Sequence, residues 1–395
     1  IIGAPLKRWF MQLFYEAPQY LGTVDQVQLV TEAGRRFVEQ AGQRLEVVVV
    51  GANDVASMLV PGPEGIYVVG TGSIGIGQTF VALGLIYFII MLIAAFSYRI
   101  PRQGWLPAGW TPPTEGTEEK KMVTTHNVDI DEALKTRQFY QLWIVLCMNV
   151  SAGIGVLGVA STMMSEIFGT TLPGTVNGAF AATYVSMIGV FNMVGRFIWA
   201  SASDYIGRKN TYWIFFALGI VLYCSVPFAA NRVSADPSVV WLVLFYGATM
   251  LIFTMYGGGF ATVPAYLADV FGTKFVGGIH GRLLTAWSTA GVVGPLAITS
   301  LRQSAVARAI EDLASRVDPA AFQQRFGAGL DQLDQLVAAQ TVTIARLMEI
   351  VPTGTVDPTP SLYNSTMYLM AVLLAVGLVS NALMKPVAKS HYLQE

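Results

Sequence analysis

The chain has 395 residues, 53% of them hydrophobic and only 12% charged, with a mean hydropathy of +0.53. That balance lies outside the range of soluble domains and marks an integral membrane protein, while a formal charge of −1 argues against a nucleic-acid partner. Two cysteines, Cys147 and Cys224, both inside apolar runs, leave no disulfide framework and no thiolate cluster, so neither a metal nor a cofactor is expected.

The chain opens on Ile1 with no methionine and no signal peptide, and its apolar stub ending at Leu6-Lys7-Arg8 reads as the continuation of something longer. A polar segment, 11–77, follows; it is read as a helical stretch near 24–44, a β-branched run at 47–50 and a glycine-rich approach to the membrane through Gly70, Gly72, Gly75 and Gly77. Seven stretches then meet the ~20 apolar residues that a membrane helix needs: 78–98, 141–163, 176–202, 211–230, 239–262, 277–301 and 365–385. Between them lie 99–140, 203–210, 231–238, 263–276 and 302–364. In the last of these Val306, Ile310, Leu313 and Val317 recur at helical spacing among polar residues, which predicts one or two soluble amphipathic helices.

Basic residues fix an expected orientation. Arg208, Lys209, Lys274, Lys385 and Lys389 fall on one side and only Arg232 on the short connectors of the other, so the first side is expected to be cytoplasmic. The connector 99–140, with Arg99, Arg102, Lys120, Lys121, Lys135 and Arg137, joins that side, as does the C-terminus. Segments 11–77 and 302–364 then lie outside. None of the three histidines falls there, and no span holds paired acids or a nucleophile with its base, so an enzyme is not expected.

One side chain stands apart. Arg196 is the only charge between Leu172 and Ala202. A guanidinium at membrane depth costs from ~2.5 to more than ~10 kcal/mol unless it meets protein, water or an anion, so Arg196 is a candidate ligand group; snorkelling to the interface is the alternative. Two spans begin groups of three and carry glycine clusters, Asn149-Val150-Ser151-Ala152-Gly153-Ile154-Gly155 and Met255-Tyr256-Gly257-Gly258-Gly259. Such repeats line ligand sites in secondary transporters, although glycines equally serve close helix packing.

After Arg196 comes Ser203-Asp204-Tyr205-Ile206-Gly207-Arg208-Lys209-Asn210, which resembles the loop signature of the major facilitator superfamily. Phe139-Tyr140-Gln141-Leu142-Trp143, Asn192-Met193-Val194-Gly195-Arg196, Pro264-Ala265-Tyr266-Leu267-Ala268-Asp269 and His280-Gly281-Arg282-Leu283-Leu284-Thr285-Ala286 add a closer resemblance to the oxalate/formate antiporter family within it, over roughly 76–302 and 363–392. The resemblance implies an all-α membrane protein with the superfamily fold, truncated to about seven transmembrane helices plus an N-terminal stub, with two long extracytoplasmic insertions. In its terms 1–10 ends span five, 11–77 is an insertion, 78–98 is span six, 99–140 is the cytoplasmic interdomain loop, 141–301 holds spans seven to eleven, 302–364 is a helical insertion, 365–385 is span twelve and 386–395 is a cytoplasmic tail. Spans one to four would precede Ile1.

The family's substrate-binding arginine, eight residues before the loop aspartate, falls on Arg196. Its lysine on span eleven is replaced by Trp287 in Leu283-Leu284-Thr285-Ala286-Trp287-Ser288. One guanidinium fork suits one carboxylate, so a monocarboxylate such as formate, lactate or pyruvate is expected over oxalate. Trp287, Asn149 and Tyr256 are further substrate-site candidates, with helix packing as the alternative role of each; Asp204, Gly207 and Arg208 are candidates for a gating loop. Antiport and proton symport both stay open, with protons a possible coupling ion, and His280 reads either as titrating or as solvated. A monomer in the inner (plasma) membrane is expected. The competing class is a transporter-derived carboxylate sensor that binds without transport.

Overall fold

A computed structural model describes residues 3–24, 26–32, 35–40, 42–50, 58–99, 102, 105, 123–124, 126–338 and 341–394. Lys120 and Lys121, used for the orientation, lie outside them. The chain divides into two compact units, 1–117 with 323–342, and 118–322 with 343–395.

In the first unit a helix, α1 (Gly3–Leu13), precedes five short antiparallel strands: β1 (Tyr20–Gly22), β2 (Val30–Glu32), β3 (Arg35–Gln40), β4 (Gln43–Val50) and β5 (Gly65–Val68), in the order β1-β5-β4-β3-β2. The helical stretch expected near 24–44 is therefore incorrect. The strands pair in register, and one face, Val38, Val47, Ile66 and Val68, packs into a small core flanked by Leu45 and Val49. Gln40 opposite Gln43 leaves a two-residue hairpin connection, with Gly42 at φ 76° as such a turn requires. Glu16 and Ser73 exchange backbone hydrogen bonds of 2.8 and 2.9 Å. Gly72 lies so near the backbone of Pro18 that an added Cβ would come within 2.6 Å of it. A span, α2 (Ile76–Ser97), follows, exposing Phe80, Phe88, Ile93 and Phe96.

The second unit is a helix bundle. Its members are α3 (Ile130–Ala133), α4 (Arg137–Phe168), α5 (Gly178–Ile206), α6 (Arg208–Ala235), α7 (Val239–Phe271), α8 (Val276–Leu283), α9 (Thr285–Arg316), α12 (Ile344–Met348) and α13 (Asn364–Ala382); the division falls within α10 (Pro319–Phe326), after Phe322, and α11 (Leu333–Ala338) belongs to the first unit. Seven helices among the described residues are long and apolar enough to cross a membrane. Side chains of Thr136, Asn177 and Ser238 accept hydrogen bonds from the first turns of α4, α5 and α7.

These helices overrun the apolar windows. At 33 residues α7 is about 50 Å long, so Pro264–Asp269, expected in a connector, is helical. Likewise the loop expected at 203–210 reduces to Gly207 at φ 84°, and Asp204 belongs to the last turn of α5. The span expected at 277–301 is interrupted at Leu284, and α9 then continues without a break into the segment expected to be a separate insertion. There Ile310, Leu313 and Val317 are buried, as are Ile344 and Leu347 of α12.

The glycine clusters mark where helices meet. A Cβ on Gly195 of α5 would lie 2.1 Å from the Thr254 carbonyl oxygen of α7, and one on Gly257 would lie 2.0 Å from that of Asn192. Backbone thus meets backbone at this crossing, a contact open only to the smallest residue. Gly153 of α4 serves a second contact, receiving the Tyr256 ring.

Candidate functional site

Arg196 stands about ten residues, roughly 15 Å, before the end of α5, within one of the helices long and apolar enough to cross a membrane. Its guanidinium carbon lies 5.7 Å from the centroid of the Phe260 ring on α7. Against the same ring packs the Trp287 indole of α9, with centroids 3.6 Å apart and planes at 54°. The Tyr256 ring meets it edge-on at 5.5 Å. Three helices therefore assemble one cluster, and Phe260 joins its members.

Sequence reasoning named Arg196, Trp287 and Tyr256 but missed Phe260. The signal was its place four residues after Tyr256, on the same helix face, directly after three glycines. Arg196 is exposed on the bundle surface and has no carboxylate partner among the described residues. An aromatic face contributes ~0.5–2 kcal/mol to a cation, less than the cost of a guanidinium at membrane depth. The cluster accordingly offers a positive head group, walled on one side by rings, to water or an anion.

Asn149 lies elsewhere. It is 7% exposed, its amide nitrogen has no partner among the described residues, and it borders a cavity of about 10 Å³ with Gly153, Tyr223 and Tyr256. That volume suits a single water. Tyr256 faces both this cavity and the arginine cluster, whereas Asn149 is not among the residues gathered around Phe260.

At the end of α5, Asp204 pairs with Arg208 across the Gly207 turn, and Arg208 also donates to Ser203 Oγ at 2.9 Å. Lys209 Nζ donates to the carbonyls of Ala382 and Met384 at 3.2 and 2.8 Å, and Asn381 returns a bond to the Lys209 carbonyl at 2.9 Å. The turn is thereby fastened to the end of α13. At the opposite end of the bundle is a group that sequence reasoning did not find: Arg302 of α9 pairs with Glu166 of α4, and the Tyr363 hydroxyl donates to Glu166 at 2.6 Å. Residues 136 positions apart leave no local signal for such a pair.

A family model described as Major Facilitator Superfamily matches residues 49–295. The chain belongs to the major facilitator superfamily. Together with seven membrane-length helices, this makes it a multi-pass membrane protein of the transporter type. Among curated superfamily members, it is 30% identical over 220 residues to the oxalate:formate antiporter of Oxalobacter formigenes, covering 56% of this chain and 46% of that protein. It is 20% identical over 200 residues to the uncharacterized MFS-type transporter YhjX of Escherichia coli (strain K12), covering 51% and 43% respectively. The chain spans less than half the length of each of these superfamily relatives.

Proposed function

We propose that this chain forms part of a secondary transporter that moves small carboxylates by alternating access, with Arg196 as the anion-binding group. The observation that carries the proposal is the Arg196 guanidinium, within a membrane-length helix, held near Phe260 with Trp287 against the same ring. A charged head without a carboxylate partner inside a span needs an anion or water, and a guanidinium fork matches one carboxylate in two parallel hydrogen bonds. The similarity to an oxalate:formate antiporter supports the substrate class.

Within that class we favour monocarboxylates such as formate, lactate or pyruvate. Trp287 supplies an apolar wall where a second cation would be needed to neutralise a dicarboxylate in a low-dielectric site. In this reading the two bundles rock about the bound anion, and the turn at Asp204, Gly207 and Arg208 stabilises one of the two end states. Exchange of one carboxylate for another needs no titrating group in a span; proton symport needs one. The basic residues at 208–209, 274 and 385–389 support a cytoplasmic C-terminus in an inner (plasma) membrane.

The test is counterflow of labelled formate, lactate, pyruvate and oxalate into proteoliposomes holding the full-length protein. Saturable monocarboxylate exchange that exceeds oxalate exchange supports the proposal. Binding without exchange would favour a sensor instead.

A further inference from the structure

The break between α8 and α9 falls just before Trp287 and is stitched by side chains. Leu283 ends α8, Thr285 begins α9, and Leu284 stands between them at ψ −13°. The Thr285 hydroxyl donates back across the break to the Arg282 carbonyl at 2.8 Å, and its oxygen accepts the indole N–H of Trp143 on α4 at 3.0 Å. On the α9 side the Thr289 hydroxyl donates to the Thr285 carbonyl at 3.0 Å. On the α8 side Arg282 pairs with Asp131 of α3 at 3.0 Å, and Ile279 and Leu283 are buried. Trp143 and Thr285 thus join α4 to the point where one helix gives way to the next.

Further along, α9 lies against α4 through small residues. Ala286 and Ala290 are fully buried, a Cβ on Gly294 would lie 3.0 Å from the Ser151 carbonyl oxygen of α4, and one on Gly155 of α4 would lie 2.5 Å from Ile298 Cδ1. Positions 286, 290, 294 and 298 recur every four residues and share one face of α9. Trp287 follows Ala286 and is turned by about 100° from that face, and its indole packs on Phe260 of α7. It stands in the first turn of α9, where a helix has the fewest backbone bonds of its own. Its place therefore depends on how that turn is fastened, and the Trp143–Thr285 bond is the polar fastening next to it.

We propose that Trp143 is a positioning residue for the substrate site: its indole N–H, through the Thr285 hydroxyl, fixes the first turn of α9 and so holds the Trp287 indole against Phe260. This rests on the reading of Trp287 as a wall of that site. An indole can only donate, and a hydroxyl can accept while donating elsewhere, so the pair is matched in this direction and in no other. Without the bond the turn after Leu284 is free to fray, and the Trp287 ring takes up more than one arrangement. Carboxylate binding then carries the cost of reordering the wall. One neutral hydrogen bond corresponds to about five-fold in affinity, or ~1 kcal/mol.

Two variants of the full-length protein test it: Thr285→Val, which keeps the side-chain shape and removes the hydroxyl, and Thr285→Ser, which retains the hydroxyl. Each is prepared with fluorotryptophan, and the fluorine NMR lines of Trp143 and Trp287 are assigned by their loss in Trp143→Phe and Trp287→Phe. In Thr285→Val the Trp143 line is expected to move, as its N–H loses its acceptor, and the Trp287 line to broaden or split; Thr285→Ser keeps both lines as in the wild type. A Trp287 line unchanged beside a shifted Trp143 line would overturn the proposal. This arm needs no substrate, so its result is independent of the reading of Arg196. Equilibrium binding of labelled formate then tests the consequence. Thr285→Val and Trp143→Phe are each expected to weaken binding about five-fold, and no further when combined, because both remove the same bond. In a Trp287→Leu background Thr285→Val should change binding by less than about two-fold. A five-fold loss that persists without Trp287 would overturn positioning through that residue.

Discussion

Replacing Trp287 by Lys adds a second cation to the cluster around Phe260 and tests the charge count directly. Phe260 lies 5.7 Å from the guanidinium carbon, and the indole centroid 3.6 Å from its own, so a lysine at position 287 is expected to bring its ammonium within reach of the second carboxylate of a short dicarboxylate held by Arg196. At ~4 Å and an effective dielectric constant of ~20, a new ion pair contributes about 4 kcal/mol before desolvation. Allowing half for desolvation and side-chain ordering leaves about 2 kcal/mol, or roughly 30-fold in affinity. Losing the aromatic contact costs about 0.5–1.5 kcal/mol for every substrate alike. The oxalate-to-formate preference, measured as the ratio of half-saturation constants in counterflow, is therefore expected to rise about 30-fold while formate itself weakens up to about ten-fold. A ratio that does not move would refute the inference from charge count to substrate.

Further outcomes follow from the same geometry. Phe260→Ala removes the ring that joins the cluster and is expected to weaken substrate affinity by about 1–2 kcal/mol while the protein still inserts, as binding in detergent will read. Gly257→Ala forces a Cβ against the Asn192 carbonyl, so α5 and α7 must separate, and thermal unfolding should report a loss of about 1–3 kcal/mol. Glu166→Gln leaves Arg302 partly buried without its counter-charge; with both side chains partly exposed, about 1–3 kcal/mol of stability is expected to go, whereas an unaltered unfolding midpoint would speak against a structural role. Asp204→Asn breaks an ion pair whose aspartate is 62% exposed, so stability should hold within about 1 kcal/mol; if the turn acts as a gate, the exchange rate falls and the half-saturation constant does not.

The spans were legible because each needs about 20 apolar residues whatever its neighbours do, and Arg196 stood out as a charge where charges are costly. Helix ends were not, since a helix longer than the hydrocarbon core carries polar residues such as Asp204 and Asp269 in its last turns without ending there. The sheet was hidden in a stretch whose charges, among them Arg35, Arg36, Glu39, Arg44 and Glu46, also suit a solvated helix; pairing with β5, about 20 residues on, decides in favour of strands. Asn149 could not be assigned to one face or another from its span, because its neighbours are apolar or small all round. Phe260 and the contact between Glu166 and Arg302 became visible only when helices distant in sequence were brought side by side.

The central claim is that the Arg196 guanidinium receives the transported carboxylate. Its most direct test is the equilibrium affinity of the full-length protein for a labelled monocarboxylate, compared between wild type, Arg196→Lys and Arg196→Gln, with correct insertion verified for each. Two charge-assisted hydrogen bonds at about 1.5–3 kcal/mol each predict a loss of about 10²- to 10⁴-fold for Gln and a smaller loss for Lys, which keeps the charge without the fork. Affinity within a factor of about two of wild type in the Gln variant would contradict the account.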